Sequence, residues 1–371
     1  MCFARLKPEE GIEPSTRLAA LVATALKDWL CLWPVLMKLK PTPPRDAVKR
    51  YLKDVEGHIT DKTKYNYSTT LKRFLEWCDE NSIIDMNDLD SEMIDQFKEW
   101  RLADVKPITA KNDMNTIRNF IEYAATIQAV PAGLSDLIRI PKVSDDDAIN
   151  DDYLTQQEAS AILDYLSSYE YASRRHITFL ILWKGGMRIS GLRTLDFEDF
   201  DEGRPALKIR HRPETGTPLK RKDKSERDVI LSPDTADTIS DYIEDQRAES
   251  QDKFGRKPLL STKHGRAART TIQKYVYTAY RPCYYNGEEC PYDRDTDTCE
   301  ALAFDQANKC PGSLSPHALR RGYVTAARNA GQPKDVTSER VNMSGKILEK
   351  HYDKGSHDEK AERRREYLKD I

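Results

Sequence analysis

The chain has 371 residues, 39% of them apolar and 32% charged, with 59 Lys and Arg against 61 Asp and Glu and a net charge of −2. That length exceeds one small core and predicts two domains, and the apolar content excludes a disordered chain. The charge balance excludes an overall basic protein, but it leaves room for a basic groove beneath an acidic outer face.

Seven cysteines are present: Cys2, Cys31, Cys78, Cys283, Cys290, Cys299 and Cys310. With no evident secretory signal, they point to a reducing cytoplasm rather than a disulfide framework. The apolar stretch Leu18 to Leu36 carries Lys27-Asp28 in its middle and Pro34 near its end. Charges there are costly in hydrocarbon, so no membrane span is expected.

Residues 1–44 read as an N-terminal extension, rich in Ala, Leu and Trp at first and Pro-rich from Pro41 to Pro44. From 45 to 141 the pattern is helical. Tyr67, Leu71, Phe74, Leu75 and Cys78 form one apolar stripe. Ser91 is the expected cap of a helix bearing Ile94, Phe97 and Trp100. Thr109 precedes another, with Met114, Ile117, Ile121 and Ala124 or Ala125 inward. Lys62, Lys64, Lys72, Arg73, Lys111 and Arg118 are candidate phosphate contacts on these helices, or ordinary solvated faces. Residues 142–152, with Asp145-Asp146-Asp147 and Asp151-Asp152, form an acidic linker. A second domain, 153–371, opens with a capping box at Thr155 to Glu158. It continues as a helix at Ile177 to Lys184, strands at Leu207–Arg210 and Asp228–Leu231, and helices near 233–248, 268–281 and 316–329. The class is mainly α with a small β-sheet, α+β.

Four features carry chemistry. Gly185-Gly186-Met187-Arg188-Ile189-Ser190-Gly191-Leu192 ends one helix on a glycine pair and starts another at Arg188. Leu219 to Arg227, with Lys220, Arg221, Lys222 and Lys224, reads as a basic hairpin tip between two strands. Ser315-Pro316 marks a helix start that sets His317 and Arg320 three apart on one face. Positive partial charge and free N–H groups at that end suit a phosphate. Tyr352 then lies among charged neighbours, Glu349-Lys350-His351-Tyr352-Asp353-Lys354.

Taken together, these motifs resemble the tyrosine recombinase (phage integrase) family, over about residues 45–355 and most specifically at Met187–Leu192 and His317–Gly322. The C-terminal part is similar to integrases of archaeal viruses and plasmids, particularly halophilic ones. The resemblance implies a helical, SAM-like core-binding domain followed by a catalytic domain, the two closing as a clamp around duplex DNA. It implies the catalytic set Arg188, a hairpin lysine, His317, Arg320 and the nucleophile Tyr352. Two lysines stay open: family hairpin spacing counted back from Ile230 lands on Lys222, and a turn two residues longer gives Lys220. It further implies a homotetramer on double-stranded DNA attachment sites, nucleoid-associated in the cytoplasm, with neither metal nor ATP needed for strand exchange. The charged run Glu359 to Lys369 would be a last helix that packs on a neighbouring protomer or a solvated tail.

Two positions depart from the family. Met343, nine residues before Tyr352, replaces the usual His or Trp and cannot donate a hydrogen bond to phosphate, so either a neighbour such as His351 substitutes or this subgroup works without that contact. Gly191 stands where an acidic residue is usual. The insertion 283–312 gathers Cys283, Cys290, Cys299 and Cys310, which either hold one structural zinc or are buried reduced thiols. Finally, Gly11-Ile12-Glu13-Pro14 back-translates to GGG ATC GAA CCC, the complement of a common tRNA T-arm sequence. Integrating elements often use tRNA genes as attachment sites, so residues 1–36 read as translated attachment-site DNA and the working protein as starting near Met37. Peptide mapping of natively expressed protein should therefore begin near Met37, and abundant peptides from residues 5–30 would contradict this reading.

Overall fold

A computed structural model describes residues 39–144, 152–287 and 289–365, except for the His351 side chain. The extension with Cys2, Cys31 and Leu18 to Leu36, the Met37 start, the linker acids Asp145, Asp146, Asp147 and Asp151, and the C-terminal run after Arg365 lie outside the described residues. The chain divides into two compact units, Met1–Ala148 and Ile149–Ile371. Among the described residues no helix is long and apolar enough to cross a membrane.

The first unit is helical: α1 (Pro44–Asp54), α2 (Asp61–Glu80), α3 (Ser91–Asp104) and α4 (Pro107–Thr126). Helices α1 and α4 begin on proline, whose fixed φ suits the first turn and whose missing N–H is no loss there. Thr60 caps α2 by accepting the Thr63 N–H. Ser91, the expected cap of α3, is instead its first residue, because the Asp90 carboxylate accepts the Met93 N–H at 2.8 Å. Similarly, α4 starts ahead of Thr109 because Pro107 favours the first helical position.

The expected stripes face one core. Leu71, Phe74 and Cys78 are buried with Ile94, Phe97, Met114, Ile117, Ile121 and Ala124. The Phe74 ring centre lies 5.5 Å from that of Phe97 and 5.7 Å from that of Phe120. One ion pair enters this core: Arg101 bonds Asp113 at 2.8 Å, and Thr70 donates to the same carboxylate. Paired in this way, the two buried charges escape most of the desolvation cost.

The second unit opens with α5 (Gln156–Tyr169), whose Thr155–Glu158 capping box is present as expected. Next, α6 (Arg174–Gly185) is buried on nearly all sides, which explains its continuous apolar run. Gly186 then turns left-handed, with φ 56°, into the short α7 (Ile189–Thr194). A three-stranded antiparallel sheet follows, β1 (Phe200–Asp201), β2 (Ala206–Ile209) and β3 (Arg227–Ile230), with Leu207 opposite Val229. Both longer strands start one residue earlier than expected.

Helix α8 (Pro233–Asp241) ends in a π turn, Tyr242–Gln246. The small hairpin β4 (Ser261–Thr262) and β5 (Gly265–Arg266) has no periodic signal, being only two residues a side. The chain continues through α9 (Arg269–Ala279), α10 (Pro282–Tyr285), α11 (Pro316–Asn329), α12 (Lys334–Val341), α13 (Gly345–His351) and α14 (His357–Arg365). The class is mainly helical with small antiparallel sheets.

Helix α11 is fixed by the segment just before α5. Leu154 donates its N–H to the Ala318 carbonyl at 3.3 Å, and the Arg321 Nε donates to the Asp152 carbonyl at 2.6 Å. Gly322 permits this approach, since a Cβ there would lie 2.0 Å from the Leu154 carbonyl oxygen. Backbone cannot yield as a side-chain tip can. Gly322→Ala should therefore cost about 2 kcal/mol or more in urea unfolding of this unit. A loss within about 0.5 kcal/mol, the range of a neutral surface change, would contradict the close contact.

Candidate active site

The Gly185–Gly186 turn delivers Arg188 to the start of α7, as the sequence predicts. Arg188 occupies the N-cap position and is half-buried, and its carbonyl accepts the Gly191 and Leu192 N–H groups. Gly191 is buried against the Met187 side chain, where a carboxylate would need a partner. Arg188 lines a small cleft with Ser190, Gly191, Lys220, Ser225 and Arg227.

The basic segment is not a tight hairpin tip. Residues 210–226 form an irregular excursion between β2 and β3, carrying one bridge, Arg212 to Thr217. It is tied down by Arg212 on Asp199 at 2.7 Å, and the His211 Nδ1 accepts the Leu219 N–H at 2.9 Å. Lys222 falls in a 3-10 turn, Lys222–Ser225, with φ 52°, and is exposed. Lys220 lines the Arg188 cleft, and Lys222 is not among its lining residues.

Arg320 is 1% exposed. Its Nη1 donates to the Gly186 carbonyl at 2.7 Å, its Nη2 donates to the Val341 carbonyl, and its Nε has no partner among the described residues. Burial first, then repulsion from Arg188, pulls its pKa down to about 9, so it stays cationic at neutral pH. Arg227, which nothing local in the sequence separates from the rest of the basic run, belongs to the same group. Its Nε donates to the Arg340 carbonyl and its Nη1 to the Ser225 carbonyl. Burial, then Arg188 and Arg340, lowers its pKa to about 10. Among the described residues none of Arg188, Arg227 and Arg320 has a carboxylate partner.

His317 stands on the first turn of α11, after the Ser315 cap and Pro316. It keeps solvent-accessible surface. Protein atoms nevertheless crowd it, and Arg320, Arg188, Arg321 and Arg269 surround it with positive charge. Both effects penalise the imidazolium and hold its pKa near 4, so the ring is neutral at pH 7.

Tyr352 follows α13 as its C-terminal cap residue and is half-buried. Its ring centre lies 5.5 Å from the Arg320 guanidinium carbon. The ring also packs against the apolar cluster of Val324, Val341, Met343 and Leu348. Met343, 6% exposed, is thus a wall for the tyrosine ring. The basic excursion approaches the same wall, since Arg221 bonds the Asn342 side chain at 3.2 Å and that side chain bonds the Lys224 carbonyl at 2.8 Å. Next to Tyr352, Asp353 takes a bidentate pair from Arg363 of α14, at 2.7 and 3.0 Å, so α14 folds back on its own chain.

Cys283, Cys290, Cys299 and Cys310 are unpaired and line one cavity. Burial raises the Cys310 thiol pKa, with the other three thiols acting in the same direction. Among the described residues no three His, Cys, Asp or Glu side chains form a ready-made metal site. Of the candidate phosphate contacts in the first unit, Lys64 and Arg73 pair with Glu56 and Glu76, and Arg118 donates to the Ile138 carbonyl.

The phage integrase SAM-like domain matches residues 45–133. The Tn1549 transposon integrase, solved with a circular intermediate DNA, superposes with a TM-score of 0.61 at 17% identity, over 86% of this chain and 99% of that one. The lambda integrase tetramer bound to a Holliday junction gives 0.59 at 14% identity, over 94% and 90%. The N-terminal domain of a phage integrase/site-specific recombinase from Haloarcula marismortui is 31% identical, over 28% of this chain and 99% of that one, with a TM-score of 0.27. No curated protein matches the chain. The first unit thus matches the phage integrase SAM-like domain, and the chain as a whole shares the fold of these solved integrases.

Proposed function

We propose that the chain is a site-specific DNA recombinase that cuts and rejoins strands through Tyr352. The observation that supports this best is the group of Arg188, Arg227 and Arg320, with no carboxylate partner, beside the Tyr352 ring. Cationic groups left without acid partners suit an anionic ligand, and a phosphodiester gains further negative charge as it is attacked.

In this reading the Tyr352 hydroxyl oxygen attacks phosphorus in line and the bond to the 5′-oxygen breaks. The products are a 3′-phosphotyrosyl link and a free 5′-hydroxyl. The tyrosine proton passes to His317, which is neutral at pH 7 and therefore able to accept it. Arg188 and Arg320 stabilise the non-bridging oxygens. Lys220, on the Arg188 cleft, protonates the leaving oxygen, and Lys222 is the alternative. The covalent link conserves the bond energy, so rejoining needs neither ATP nor metal. A structural zinc in the 283–312 insertion would take no part in the chemistry.

The finer reading assigns the protein to a viral or plasmid element of archaeal type. It inserts that element at a tRNA-gene attachment site as a homotetramer on two duplexes, in the cytoplasm at the nucleoid. One rival has a specific observation behind it. Met343 supplies no hydrogen bond to phosphate, which would suit a DNA-binding protein that has lost catalysis.

Nicked attachment-site DNA that loses the short downstream fragment bearing the new 5′-hydroxyl should trap a covalent protein–DNA adduct. No adduct with binding intact would favour the inactive binder. The same assay separates the lysines, because a 5′-sulfur leaving group needs no proton. Lys220→Ala should slow cleavage of the oxygen substrate by about 10²- to 10⁴-fold and recover on the sulfur substrate. The same recovery in Lys222→Ala, and not in Lys220→Ala, would assign the role to Lys222.

A further inference from the structure

The insertion between α10 and α11 lacks the means to hold itself together by burial. From 286 to 313 its described residues form turns and two short 3-10 segments, Glu300–Leu302 and Ala307–Lys309. Its buried apolar residues are Ala301, Ala307 and Cys310, too few for a core of its own. Yet it is attached at defined points. Phe304 packs on Tyr275 of α9 with ring centres 5.5 Å apart, and the Arg281 Nη1 donates to the Ala301 carbonyl at 2.7 Å.

Three of these turns start at a cysteine. Asp293 donates its N–H to the Cys290 carbonyl at 3.1 Å, Leu302 to that of Cys299 at 2.9 Å, and Ser313 to that of Cys310 at 2.9 Å. Cys290 and Cys310 are each followed by proline, which stiffens the turn. The fourth, Cys283, comes from α10. All four line one small cavity, together with Arg281 and Arg294. No pair is bonded as a disulfide. Irregular in sequence, the four thiols are gathered in space.

We propose that Cys283, Cys290, Cys299 and Cys310 bind one zinc ion, which staples the insertion and fixes the approach to α11. Four thiolates around one d¹⁰ ion is the closed tetrahedral set of structural zinc. The complex would carry two net negative charges, and Arg281 and Arg294 stand at the same cavity to offset them. The thiols do not stand at ligand spacing beforehand. Coordination releases their protons as the metal draws the sulfurs inward, so binding and local closure occur together. The link to α11 is short. Cys310 is five residues before the Ser315 cap, and between them Gly312 is pressed between Tyr292 and Pro282, where a Cβ would meet them at 2.9 and 3.2 Å. A staple at Cys310 therefore limits the travel of the turn that presents His317. This inference does not depend on the recombinase reading.

The test uses the full chain, purified without a metal-binding tag and under reducing conditions. Elemental analysis should give one zinc per chain, released when a mercurial titrates the four thiols. Replacement by Co²⁺ should produce the visible bands of a tetrahedral tetrathiolate. Cys78→Ser, a change in the other unit, should leave the stoichiometry unchanged, and Cys299→Ser should abolish it. Chelation should lower the melting temperature and speed amide exchange in residues 310–320. Well under one zinc per chain, iron in its place, or disulfides among the four cysteines would overturn the site. Zinc present, with exchange at 310–320 unchanged on its removal, would overturn the staple. None of these readouts requires DNA cleavage.

Discussion

Positive charge held without a carboxylate is the constraint on which the second unit depends. Arg188, Arg227 and Arg320 repel one another across the site, and each lowers the proton affinity of a neighbour. Backbone carbonyls hold Arg227 and Arg320 in place. Gly186 and Val341 take two donors of Arg320, and Arg340 and Ser225 take two of Arg227. Carbonyls orient a guanidinium without cancelling its charge, so the site keeps its attraction for an anion. Repulsion of this kind is a cost to the folded chain that a bound phosphate would offset.

The arginines elsewhere in the same unit show the contrast. Arg256 and Arg266 both bond Asp196, Arg266 also pairs with Asp252 at 2.8 Å, and Arg212 pairs with Asp199 at 2.7 Å. Those four arginine–carboxylate contacts are neutralised, and they lock the loops beside the sheet. They create no anion site. The difference between the two groups lies in their partners and is invisible in a count of charges. A net charge of −2 is thus compatible with a strongly cationic pocket.

Much of this was legible in the sequence because the signals were local. The glycine pair before Arg188, the Ser315-Pro316 start and the spacing of His317 and Arg320 each dictate their own geometry within one turn. Gly322 could be seen as part of a motif, but its reason, the Leu154 carbonyl at its face, is a long-range contact. The same limit applies to Tyr352, whose sequence neighbours are charged while Met343 and Leu348 supply an apolar wall in space. Arg227 was hidden inside a basic run, since nothing local separates an arginine that joins a cluster from one that faces solvent. The lysine choice turned on the shape of residues 210–226, which follow no period. The clustering of four cysteines in sequence raised a shared zinc as one of two readings, but their irregular spacings did not show that all four line one cavity.

The central claim is that the cationic group serves a phosphate attacked by Tyr352. It is tested most directly by trapping the protein on nicked attachment-site DNA, digesting the adduct and mapping the DNA-linked residue by mass spectrometry. The account predicts a nucleotide carried through its 3′-phosphate on Tyr352, and no adduct from Tyr352→Phe. A link to another residue, or an adduct that survives Tyr352→Phe, would contradict it.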